Sequence, residues 1–109
     1  MRTLSTHVLD TALGRPAQGI RVTLELGEKV IGSGVTDADG RVHDFQSHGA
    51  SLESGEYRLT FGVAEYFSKS GRESFYSEVI VSFNIGAASE HYHVPLLLSP
   101  FGYSTYRGS

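Results

Sequence analysis

The 109-residue sequence contains no cysteine. Disulfides, thiol nucleophiles and thiolate metal sites are therefore excluded, while the redox compartment is left undecided. No stretch approaches the roughly 20 apolar residues of a membrane-spanning helix. The opening "MRTLSTHVLD" has no apolar signal core and already reads as a strand. Neither sign of charge dominates: the net charge is −3 with the signs interspersed, which argues against a nucleic-acid surface or a polybasic membrane patch. No internal repeat, linker or low-complexity run stands out, and no nucleophile elbow, P-loop or dinucleotide fingerprint occurs. What is present is ordinary for a globular protein, with 39% hydrophobic and 19% charged residues. A single domain over residues 1–109 is expected.

The dominant period is two. "TLSTHVLD" places Leu4, Thr6 and Val8 on one face and Ser5, His7 and Leu9 on the other. "GRPAQG" is turn chemistry, and "IRVTLEL" alternates as a half-buried strand does. "KVIGSGVT", "YRLTFGV", "SEVIVSFNI", "HYHVPLLL" and "YSTY" read as further strands. "VAEYFSKSG" is the one plausible helix, about two turns ended by Gly71, and "HDFQSHGASLESGE" is a long connection. Short strands with Gly-rich turns and little helix predict an all-β sandwich. Pro95 sits inside a predicted strand, so either the ladder is irregular there or the side of the missing donor is free.

His91 and His93 share a strand face, with Tyr92, Val94, Leu96 and Leu98 on the opposite, core-facing side. Pro95 and Leu97 join the histidines on the outer face, and Leu9 joins His7 on the outer face of the first strand. Such an apolar patch marks an interface or a binding cleft. A surface histidine pair near a dimer contact is one reading. Another is a metal-dependent hydrolase with His7, His91 and His93 as ligands, since His-x-His is the minimal start of a zinc site. "DADG" opens like a calcium loop but lacks the later Glu, so it is read as a turn at Gly40.

"LSTHVLDTALGRPAQG" and "HYHVPLLLSPFGYSTYRGS" together resemble the transthyretin family, and within it the 5-hydroxyisourate hydrolases, whose hallmark is a C-terminal Tyr-Arg-Gly-Ser. "RVTLEL", "TDADGR" and the short helix after "YRLTFGV" extend the resemblance over the whole chain, with Ser77 standing where relatives often have proline. The resemblance implies a transthyretin-like sandwich of two antiparallel four-stranded sheets with one short helix. It implies a homotetramer, a dimer of dimers with active sites at the dimer–dimer interface, and neither metal nor organic cofactor. The implied reaction is hydrolysis of 5-hydroxyisourate to 2-oxo-4-hydroxy-4-carboxy-5-ureidoimidazoline, in urate breakdown. The alternative within the family is a small-molecule carrier of the transthyretin type. For relatives of this length the cytoplasm is the expected compartment, with the periplasm as the alternative.

The site residues implied are His7, Arg41, His93 and Ser109 as catalytic groups, with His7, Arg41, Tyr106 and Arg107 contacting substrate. Imidazoles suit acid–base work at neutral pH, and a guanidinium fork suits a developing oxyanion. His7 and His93 would supply one acid and one base, the assignment being open. His7 and His93 are expected as cross-strand neighbours, with Ser104 and Tyr106 facing them and Tyr103 and Thr105 turned inward. For Arg107 a structural ion pair competes with substrate contact.

Overall fold

The fold is described from a computed structural model, which covers residues 2–43, 45, 52–87 and 90–108. Ser109 and half of the 43–56 connection lie outside the described residues. Two sheets carry the chain. The first contains β1 (Thr3–Asp10), the two-residue strands β2 (Arg15–Pro16) and β5 (Arg41–Val42), β8 (His91–Ser99) and β9 (Gly102–Thr105). The second runs β4 (Lys29–Val35), β3 (Arg21–Leu26), β6 (Gly55–Phe61), β7 (Val79–Ile85), all antiparallel.

The period-two reading of the strands holds. Leu4, Val8, Tyr92, Val94, Leu96 and Leu98 face Val22, Leu24, Tyr57, Leu59 and Phe61 in one buried cluster. Each such side chain contributes about 1.5–3 kcal/mol by leaving water. Two features differ from the sequence-based expectation. The β1–β8 pairing is parallel, whereas every other pairing is antiparallel. The first sheet also has five strands, because β2 and β5 both line the free edge of β1. Strands this short lack a readable period, so β5 was invisible as a strand in "DGRV".

The helix α1 (Val63–Lys69) follows β6, buries Val63 and Phe67 one turn apart, and ends before Gly71, whose φ is 69°. Seven residues are too few for a helix to stand alone in water, so packing sustains it. Its anchor is polar. The wholly buried Asp10, at the end of β1, accepts hydrogen bonds from Arg72 Nη2 at 2.6 Å and from the Tyr66 hydroxyl at 2.7 Å. The Leu13 amide donates to it as well, and Arg72 lies 4.9 Å over the Phe67 ring. Burial alone would raise the Asp10 carboxyl. The bonds from Arg72, Tyr66 and Leu13, with the charge of Arg72, outweigh it and hold the group below its ordinary 3.8.

A carboxyl depressed in the folded state stabilises the fold fully above its unfolded value, and that contribution drains as pH falls through the folded value. Removing one partner of such a buried pair typically costs about 3–5 kcal/mol. Asp10→Asn should therefore lower the melting temperature at pH 7 and flatten its fall below about pH 4. Thermal melting across pH 2–7 checks both, and an unchanged curve would show that the pin contributes nothing.

Candidate active site

The parallel register of β1 and β8 produces two rows of paired residues. Leu4 with Tyr92, Thr6 with Val94 and Val8 with Leu96 form the core row. Thr3 with His91, Ser5 with His93, His7 with Pro95 and Leu9 with Leu97 form the outer row. On the other side of β1, β5 sets Arg41 opposite His7. His7, Arg41 and His93 thus meet on one outer face. His7 is not the direct neighbour of His93: Ser5 holds that place, and His7 stands one pair further along. Of the apolar residues expected here, Leu9 and Leu97 are half-buried and Pro95 is buried within the single chain.

His93 is half-buried and its ring is held at one nitrogen. Ser5 Oγ lies 2.8 Å from His93 Nδ1 and also 2.8 Å from His91 Nε2. Thr3 Oγ1 lies 2.6 Å from His91 Nδ1, and the two imidazoles stack with centroids 6.5 Å apart. Burial first, and then the electrostatic influence of Arg41, His7 and His91, pushes the His93 pKa below its ordinary 6.5, against an opposing effect of the Ser5 backbone. At neutral pH this imidazole is uncharged, and among the described residues its ring bond is at Nδ1. Ser5 and Thr3 were not singled out in the sequence; the outer-face parity of Ser5 was visible, but its partner was not.

Arg41 owes its position to the turn before it. The Asp37 carboxylate accepts the amides of Asp39 at 2.9 Å and Arg41 at 3.0 Å, and the Gly40 amide bonds Asp37 O at 2.9 Å. Gly40 has φ 75°, and a Cβ there would stand 2.4 Å from Val8 O. Its carbonyl accepts the Val8 amide, so only glycine lets this turn press against β1. "DADG" is accordingly a turn whose carboxylate is occupied by backbone.

The tail beyond β9 returns to the site. The odd-numbered residues of β8 turn their backbone polar groups towards β9, as the Gly108 amide bonding His93 O at 2.8 Å shows. The missing N–H of Pro95 therefore faces the tail, and the parallel ladder to β1 loses nothing. The β8–β9 ladder ends at Leu96–Thr105 and resumes in the same register at His93–Gly108. Between them the Thr105 hydroxyl donates to Pro95 O at 2.7 Å. Ser104 pairs with Leu97 on the histidine face, and Tyr106 is 56% exposed at the gap. Thr105 and Tyr103 pair with the core-row residues Leu96 and Leu98, but both are exposed at this edge of the sheet and are not turned into the core as expected. Arg107 turns aside: it bonds Glu90 Oε1 at 2.9 Å and lies 4.8 Å over the Tyr92 ring, the geometry of a structural ion pair. A cavity of about 220 Å³ opens beneath the tail, lined by Val81, Phe83, His93, Tyr106 and Arg107 among others.

Among the described residues no group of three or more His, Asp or Glu is placed to hold a metal ion. Both ring nitrogens of His91 are engaged by hydroxyls, which removes it from the ligand set that His-x-His suggested.

Three comparisons place the chain. It is 47% identical over 114 residues to 5-hydroxyisourate hydrolase 2 of Rhizobium meliloti, covering 97% of this chain and 95% of the relative. The structure of Klebsiella pneumoniae 5-hydroxyisourate hydrolase superposes with a TM-score of 0.90 at 42% identity, covering 98% of this chain and 99% of that one. Sea bream transthyretin in complex with thyroxine gives 0.88 at 29% identity, covering 97% and 94%. The model of the HIUase/transthyretin family matches residues 4–108, and the chain belongs to that family.

Proposed function

We propose that this chain is a 5-hydroxyisourate hydrolase, opening a cyclic amide C–N bond to give 2-oxo-4-hydroxy-4-carboxy-5-ureidoimidazoline. The observation that carries the reading is the convergence of His7, Arg41 and an uncharged His93 on one outer face. A carrier needs no such base. The similarity to named hydrolases over nearly the full length points the same way.

In this reading His93 Nε2 takes a proton from water as the water oxygen bonds to the amide carbonyl carbon. The negative charge gathering on the carbonyl oxygen is met by the guanidinium of Arg41. The C–N bond then breaks and His7 supplies a proton to the leaving nitrogen. Tyr106, exposed beside the gap in the ladder, borders the substrate. The half-buried Leu9 and Leu97 give the outer face an apolar margin, and we assign it to contact between dimers in a tetramer. The cytoplasm is the compartment we propose.

His7→Asn, Arg41→Ala and His93→Asn should each remain tetrameric by sedimentation and lose at least about tenfold to a hundredfold in turnover. The assay follows the ultraviolet absorbance of freshly made 5-hydroxyisourate. A variant near wild-type activity removes that residue from the chemistry. Because His93 works deprotonated, kcat/KM should fall as pH drops through its pKa, placing the acid limb below 6.5.

Side chains and water suffice for these steps, so exhaustive chelation should leave turnover unchanged. Activity lost to a chelator and restored by zinc would overturn the side-chain mechanism.

The tail is tested at Gly108, where a Cβ would stand 2.6 Å from His93 Cδ2 and 3.1 Å from Pro95 Cγ. Gly108→Ala must displace the imidazole or the tail. It should cut turnover about tenfold or more with little change in melting temperature, since no core side chain is altered. Full activity in this variant would show that the tail's approach to His93 is incidental.

A further inference from the structure

We propose that Ser5 and His91, steadied by Thr3, form a proton relay behind His93, so that the base ends the attack step uncharged. The inference rests on the assignment of His93 as base. A serine hydroxyl has one proton to donate, yet Ser5 Oγ stands 2.8 Å from a nitrogen of each of two imidazoles. With one proton and two lone pairs, that hydroxyl can accept from one ring while it donates to the other, which is the arrangement a relay uses. With Nε2 of His93 bare towards substrate, its proton sits on Nδ1 and is donated to Ser5 Oγ. Ser5 in turn donates to His91 Nε2, and the remaining N–H of His91, at Nδ1, is donated to Thr3 Oγ1 at 2.6 Å. All four groups are thereby oriented in one direction.

When water is deprotonated, an N–H bond forms at His93 Nε2 as the water O–H bond breaks. The N–H bond at His93 Nδ1 breaks as its proton moves to Ser5 Oγ, and the original Ser5 proton moves to His91 Nε2. Three protons shift, no electrons are exchanged with another molecule, and the positive charge finishes on His91. The reverse passage resets the chain when Nε2 releases its proton to water after product leaves.

The direction has a physical cause. A charged His93 would be half-buried before Arg41 from β5, His7 from β1 and His91 from its own strand. The tail's Arg107 is already paired with Glu90, next to His91. His91 is exposed, so a charge placed there is solvated. Ser5 is only 8% exposed, which keeps bulk water from short-circuiting the middle of the chain.

The test is a proton inventory, kcat measured in mixtures of light and heavy water. The wild-type enzyme should give a curved plot, because more than one proton moves in the step. Ser5→Ala should lower kcat roughly tenfold at unchanged KM and straighten the plot, while Ser5→Thr should restore both. His91→Phe, at an exposed position, should behave like Ser5→Ala and serves if that variant misfolds. Nitrogen-15 spectra of the resting enzyme should show His93 protonated at Nδ1 and bare at Nε2. A straight wild-type plot, or wild-type kcat and curvature in both Ser5→Ala and His91→Phe while His93→Asn is inactive, overturns the relay and leaves the base assignment standing. An active His93→Asn overturns the base assignment itself, and the relay with it.

Discussion

The outer face depends on one parallel ladder, the pairing of β1 with β8. It joins residues from the two ends of the chain, so its register cannot be set by a turn as a hairpin's is. The core row sets it instead. Val8 and Leu96 are wholly buried side by side, as are Asp10 and Leu98. A slip of one residue would carry His93 into the sandwich and a leucine or valine into water. Since the hydrophobic row cannot move, the polar row on the other side of the same two strands cannot move either. Site geometry is thus a by-product of core packing, and Asp10 ties that frame to α1 through Arg72 and Tyr66.

Electrostatics follow from the same register. Setting Arg41 opposite His7, and His7 one pair along from His93, gathers cationic or protonatable groups around one half-buried imidazole. Burial and those neighbours together keep it uncharged. Either influence acting on an exposed histidine would be weakened by water and salt. The asymmetry between the two histidines of "HYH" has this origin: His93 lies under the returning tail and His91 lies open, although the two are alike in sequence.

Much of the fold was legible, because alternating burial leaves its mark on each strand separately. "TLSTHVLD", "HYHVPLLL" and the helix at "VAEYFSKSG" read correctly from period and from Gly71. Partners and direction left no such mark. The parallel sense of β1–β8 decides that Ser5 rather than His7 sits beside His93, and nothing in either segment alone encodes it. Arg41 came from family resemblance, because β5 has two residues and its placement comes from the Asp37 turn and the close approach of Gly40 to β1. Arg107 was the residue for which sequence left two roles open, and its bond to Glu90 supports the structural one.

Pro95 and Gly108 show how two residues with opposite backbone properties shape one site. Proline in a central strand is ordinarily excluded, because it leaves a neighbour's carbonyl without a donor. Here the nitrogen faces the one stretch of tail where the ladder is already open, and the carbonyl of Pro95 is satisfied by the Thr105 hydroxyl. Opening the ladder at this point frees Tyr106 from strand pairing while the register is preserved on either side. Glycine at 108 then lets the backbone close again directly against the imidazole of His93, where any side chain would collide. Had the ladder run unbroken, Tyr106 would be locked as an ordinary strand residue. Had Gly108 carried a Cβ, the tail could not re-engage without pushing the imidazole off its bond to Ser5. The missing donor and the missing side chain work in sequence, the first releasing the chain from the sheet and the second returning it to the base.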